Sequence, residues 1–238
     1  MSADESATSI TAESQTRPQW FDLAASVVCT LAWGTTGFAI TMQLGVVDPV
    51  VSITYRFALA AALLFAWGAL RREKLSLNRA QHLAAFGVGL FTFAVDYSFV
   101  YWAEERVTSA VVAVVFAAMA FMNLIVFRFA FGQRAPLLAW AAAGLGVLGV
   151  ALLSWEELLT ANMSERALTG IGLTLAGVFS AAIGNVYARR GEMAGAGVIA
   201  STGWAMGYGA VLLAVFAVAT GKTWDFEFTA PYILSLLH

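Results

Sequence analysis

The sequence predicts an all-α, polytopic membrane bundle of seven complete transmembrane helices and the start of an eighth. Composition is the first reason: 60% of the 238 residues are hydrophobic and 12% are charged, whereas soluble domains carry about 25% charged residues. The second is patterning, because the charges sit in short clusters between apolar runs close to the roughly 20 residues that cross a bilayer core. The third is the distribution of Lys and Arg along those clusters, which alternates in the way the positive-inside rule requires.

Taken in order, residues 1–19 are polar, with Asp4, Glu5 and Glu13, and Arg17 is their one basic residue. That is a poor n-region for a cleaved signal peptide, so this stretch reads as a disordered cytoplasmic tail. The run 21–42 spans and lacks a small-residue cleavage site leading into a soluble domain, so it stays as an anchor. Further spans follow at 50–70, 84–103, 109–129, 136–155, 168–188 and 198–220. An eighth begins near Pro231, but the residues from there to His238 give about 12 Å of helix against the roughly 30 Å a bilayer core needs. The expectation is therefore a chain that stops within a helix.

With the N-terminus in the cytoplasm, Arg17, Arg71, Arg72, Lys74, Arg79, Arg128, Arg134, Arg189 and Arg190 fall inside. Outside fall Arg106, Arg166 and Lys222, and Arg56 lies within a span. Nine against three supports both the span count and the orientation. The basic loop Arg71 to Arg79 reads as a topology determinant, with a lipid-headgroup role as a second use.

Several function classes recede on composition. A net charge of −2 and a pI near 5.7 offer no basic stripe for nucleic acid. Cys29 is the one cysteine, so neither a disulfide framework nor a Cys-based metal site can be built. His82 in the basic loop and His238 at the end leave little for catalysis or zinc, and no cofactor or metal is expected. Gly144, Gly146 and Gly149 match a dinucleotide-binding G-x-G-x-x-G, yet no strand precedes them and they lie in an apolar span. They read instead as packing surfaces, with Gly203 and Gly207.

Internal repetition is weak. An offset of 150 superposes Leu23 on Leu173, Val28 on Val178 and Gly34 on Gly184. A repeat of that length holds five helices, an odd number, so its second copy enters the membrane inverted, as in many carriers.

The motifs carry a resemblance. Leu31-Ala32-Trp33-Gly34-Thr35 in the first span, Asp48-Pro49 and Tyr55-Arg56-Phe57-Ala58-Leu59-Ala60 in the second, and Asp96-Tyr97 through Tyr101-Trp102-Ala103-Glu104 in the third are similar to the EamA family of the drug/metabolite transporter superfamily. Thr108-Ser109-Ala110, Met119-Ala120-Phe121-Met122-Asn123 and Gly184-Asn185-Val186-Tyr187-Ala188-Arg189-Arg190 extend it. The resemblance implies a ten-helix fold of two inverted five-helix repeats, the first at 20–155 and the second, incomplete, at 168–238. It further implies a multi-pass protein of the bacterial inner membrane that exports a small metabolite, amino acid or drug-like compound by alternating access, and it leaves room for a homo-oligomer. The family's mid-helix-four proline is replaced here by Ala120, which predicts a milder kink, and helices eight to ten are not represented in full.

Candidate substrate-binding residues follow. Arg56 in an apolar run costs at least about 2.5–3.5 kcal/mol at mid-bilayer and demands a partner. Arg56 lies about 9 Å below the outer face and Asp96 about 18 Å above the inner one, depths close enough in a 30 Å core to predict an ion pair. The alternative is a pair that only fixes packing. Tyr97, Tyr101 and Glu104 recur at i, i+4 and i+7 on one stripe suited to an amphipathic or aromatic substrate, or to an interfacial aromatic belt. Trp33, Asn123, Asn185 and Tyr187 offer polar or stacking groups inside spans, for a ligand or for interhelical bonds. Asp96 or Glu104 could carry a coupling proton, since burial favours a protonated carboxylate. A membrane-embedded enzyme lacks convergent acid, base or metal groups; a non-transporting accessory or scaffold protein is the remaining rival.

Overall fold

The computed structural model describes residues 19–43, 47–153, 155, 159 and 164–237. Residues 1–18 of the expected tail, residue 154 at the end of the fifth predicted span, and His238 lie outside them. The described chain is helical: α1 (Gln19–Thr41), α2 (Pro49–Leu70), α3 (Arg79–Glu104), α4 (Ser109–Phe131), α5 (Leu137–Leu153), α6 (Glu165–Met193), α7 (Val198–Ala219) and α8 (Ala230–Leu237). Five of these, α2, α3, α4, α6 and α7, are long and apolar enough to cross a membrane. α1 and α5 contribute shorter apolar stretches, Ser26–Thr41 and Leu137–Leu152.

Local chemistry sets the helix ends. Pro49 opens α2 at a position where no backbone N–H is needed, and the Asp48 side chain accepts from Val50 N–H at 3.0 Å. α3 begins five residues earlier than its apolar run, because Asn78 and Gln81 form a reciprocal capping box. His82 therefore sits in the first turn of α3, not in the basic loop, and it meets Tyr208 Oη at 3.0 Å and the ring of Trp204. Ser164 caps α6, which runs for 29 residues and takes Arg189 and Arg190 into its last turns.

Two departures from regular α geometry were not visible in the sequence. Gly89 to Asp96, in the middle of α3, is a π-helix. α4 tightens at Ala117–Ala118, where Ala118 N–H reaches Val115 O, so the chain breaks its helix beside Ala120 without a proline.

α3 is central. Its π segment packs against both α6 and α7, α7 lies along α2, and α6 also meets α4. α3 and α7 cross backbone against backbone: a Cβ at Gly89 would lie 2.6 Å from Ala205 O, and one at Gly209 would lie 3.1 Å from Gly89 O. Gly203 likewise admits the ring of Phe65. Gly146 and Gly149 meet nothing within 4 Å and Gly144 only the tip of Phe121, so the expected tight packing on that face of α5 is not formed; the helix faces away from the core there. α4 and α5 form the flank of the bundle, with 11% of α4's apolar window buried against 50% of α6's. α8 packs on α2 and α1.

Candidate functional site

Two clusters of buried polar side chains flank α3. The first lies toward α2. Arg56, two turns into α2, is 8% exposed. Its guanidinium carbon sits 5.8 Å from the centroid of the Tyr97 ring, within cation–π range, and Phe57 holds that ring edge-on at 4.8 Å. One turn along α3, the Tyr101 phenol is fully buried beside the Arg56 guanidinium. Tyr101 Oη donates to Gln43 Oε1 at 2.6 Å. Tyr232 of α8 closes the cluster, its hydroxyl 3.0 Å from Ser52 Oγ. Two atoms here are buried without a hydrogen-bond partner, Arg56 Nη1 and Gln43 Nε2.

The second cluster lies toward α6. Asp96 is 3% exposed, and its Oδ1 faces Gly177, where a Cβ would approach to 2.8 Å. Thr92, one turn earlier, places its hydroxyl against Gly184. Asp96 Oδ1 and Thr92 Oγ1 are again buried without partners. Ser180 donates to Phe91 O at 2.6 Å, across the same interface.

The expected Arg56–Asp96 ion pair is not formed: among the described residues neither takes part in an ion pair, and each keeps a buried atom without a hydrogen-bond partner. Depth along the helices was matched, but azimuth was not. Adjacent residues on a helix point about 100° apart, so with Tyr97 turned to α2, Asp96 is turned to α6.

Of the other sequence-predicted residues, Tyr97 and Tyr101 join Arg56. Glu104 continues their stripe but accepts a hydrogen bond from Ser109 Oγ at the start of α4, close to Gly37 of α1. Asn185 donates to Asn123 Oδ1 at 3.0 Å, tying α6 to α4. Tyr187 stacks on Phe91 at 5.7 Å under the Arg190 guanidinium, toward the basic end of the bundle. Trp33 lies on α1, and its side chain is outside what the structure describes. Gln43, Ser52, Thr92, Ser180 and Tyr232 were missed. The i, i+4 spacings of Ser52 with Arg56 and of Thr92 with Asp96 were the available signal.

A groove of about 490 Å³ between α4 and α5 is lined by Ala117, Ala120, Leu124, Ala139, Ala143 and Gly146, among others. It holds none of these polar side chains, so the candidate site lies at α3.

Residues 20–155 match the EamA-like transporter family. The chain belongs to that family. Among its relatives are an uncharacterized inner membrane transporter, YedA of Escherichia coli, 34% identical over 70% of this chain and 54% of that protein. Protein PagO of Salmonella typhimurium is 27% identical over 66% of this chain and 51% of its own length. A probable amino-acid metabolite efflux pump of Escherichia coli is 27% identical over 71% and 54%. The chain thus spans about half the length of the curated relatives it matches. One crystal structure, at 19% identity, superposes with a TM-score of 0.64 over 87% of this chain and 69% of that one, and shows a shared fold. The matched EamA segment supplies Gln43, Arg56, Thr92, Asp96, Tyr97 and Tyr101; Gly177, Ser180, Gly184 and Tyr232 lie beyond it.

Proposed function

We propose that this EamA protein is a secondary carrier that exports a small metabolite or amino acid across the inner membrane by alternating access, with its N-terminus in the cytoplasm. The observation that carries this reading is the set of four buried, unpartnered polar atoms on both sides of α3: Arg56 Nη1, Gln43 Nε2, Asp96 Oδ1 and Thr92 Oγ1. In a bundle built only to be stable, such groups are paired or replaced by apolar ones. Within a membrane, unpaired ionisable groups mark substrate and ion paths. Amino acids are the first substrates to test, because one relative is named a probable amino-acid metabolite efflux pump. Asp96 suits a coupling proton, since a neutral carboxylic acid can stand at the α3–α6 interface without an ion partner.

Alternating access needs contacts that can open at either end of the site. At the Asp48 end, Lys222 Nζ lies 2.8 Å from Asp48 Oδ2, Tyr55 packs edge-on against Trp224 and Phe226, and Phe226 meets Tyr232. At the basic end, His82, Trp204 and Tyr208 cluster, Trp204 donates to Leu75 O, and Gln81 donates to Ala194 O.

The test is efflux of an amino-acid panel from cells expressing the protein, beside Arg56→Gln and Asp96→Asn at equal membrane level. Accelerated efflux that both variants lose supports the carrier. Equal efflux from cells with and without the protein, for every compound, supports a non-transporting scaffold instead.

A further inference from the structure

Among the described residues, Arg56 has no ion-pair partner in the α2-side cluster. A guanidinium stays protonated wherever it is buried, and Arg56 is 8% exposed with Nη1 facing no acceptor. The groups identified around it, the Tyr97 ring, the Tyr101 phenol and Gln43, are neutral. Of the two carboxylates the sequence sets against Arg56, Asp48 pairs with Lys222, and Asp96 is turned to α6; among the described residues neither makes an ion pair with Arg56. Bonded to the same phenol through its Oε1, Gln43 is 1% exposed and its Nε2 also lacks an acceptor. Two donor atoms, Arg56 Nη1 on a charged group and Gln43 Nε2, are thus held out of water around one phenol with no acceptor of their own.

We propose that Arg56 and Gln43, spaced by Tyr101, form a subsite for a carboxylate, and that the ligand class is a monocarboxylate whose apolar or aromatic body rests on the Tyr97 side. A guanidinium fork and an amide N–H offer in-plane donors to both oxygens of a carboxylate. The aromatic wall is in place, because Phe57 is packed edge-on by both Tyr97 and Phe93. As a statement about a transported molecule the subsite rests on the carrier reading above; as a binding site it is tested without flux.

The experiment is thermal unfolding of the purified full chain in detergent with two matched pairs, phenylacetate against phenylacetamide and phenylalanine against phenylalaninamide, and with inorganic phosphate. Acids raise the unfolding midpoint by several degrees; amides and phosphate leave it unchanged. Arg56→Met abolishes the acid effect and raises the midpoint of the ligand-free protein, because a buried unpaired cation is gone; a purely structural arginine would lower it. Gln43→Leu weakens acid binding about tenfold, as loss of one good hydrogen bond to a charged group does, and keeps the test decisive should Arg56→Met fail to fold. Equal stabilisation by acids and amides, or by phosphate, overturns the proposal, as does undiminished acid binding in either variant. Acid binding that depends on Arg56 without flux of any compound would sink the carrier reading and leave the subsite standing. Flux indifferent to the carboxylate would do the reverse.

Discussion

Gly177 and Gly184 stand where α6 meets the two unpartnered groups of α3, so their missing side chains are as much part of the site as Asp96 and Thr92. Gly177→Ala brings a Cβ to 2.8 Å from Asp96 Oδ1, and overpacking of this kind costs about 1–3 kcal/mol. The expected outcome is a lower unfolding midpoint for Gly177→Ala and for Gly184→Ala. Gly146→Ala, whose Cβ meets open space, leaves the midpoint where it was or raises it slightly. Asn123 and Asn185 give a second prediction. Their hydrogen bond is worth about 0.6–2 kcal/mol between membrane helices, so a double-mutant cycle to Ala returns a coupling of that size. A coupling near zero would show that the two amides reach different partners. Arg56 was legible in the sequence because a charge in an apolar run is conspicuous. Its neighbour Gln43 was not, because a glutamine just after a span looks like any polar break. Burial separates the two cases, and the Gln43 amide is buried against Tyr101 of α3, a contact that only the tertiary fold makes.

Helix bodies were readable from apolar runs, while helix ends depended on single capping residues. α3 and α6 extend beyond their runs since Asn78 and Ser164 satisfy first-turn N–H groups that would otherwise end them. The π segment of α3 carries no comparable sequence signal. Gly89 and Gly209 permit its backbone contact with α7, but glycines in spans usually mean packing alone. Bonding from i to i+5 places more residues in a turn than the usual 3.6. Faces projected from an ideal helix therefore drift across it, which is one reason Asp96 lands on α6. The α2 N-terminus allows a graded test. Asp48 both caps α2 and pairs with the half-exposed Lys222. Asp48→Ala thus loses a cap, about 0.5–2 kcal/mol, together with the ion pair; Lys222→Ala loses only the pair, about 0.2–1 kcal/mol. Unfolding midpoints should fall further for the first than for the second, and the reverse order would contradict the assigned cap.

Across the whole molecule, α3 divides two polar clusters of complementary character, a cation with amide and phenols on one side and a carboxyl with a hydroxyl on the other. The sequence exposed the bundle and its EamA resemblance, since both rest on composition and linear motifs. It did not expose which helix stands between the clusters, because azimuth and tertiary contacts set that. The proposed alternating access opens one central site to each side of the membrane in turn. Counterflow tests this most directly: liposomes containing the purified protein are loaded with an unlabelled amino acid and presented with the same labelled compound outside. The account predicts transient accumulation of label with no imposed ion gradient, lost in Arg56→Gln. No accumulation for any amino acid, or accumulation unchanged in Arg56→Gln, would contradict a carrier whose path runs past the buried cation.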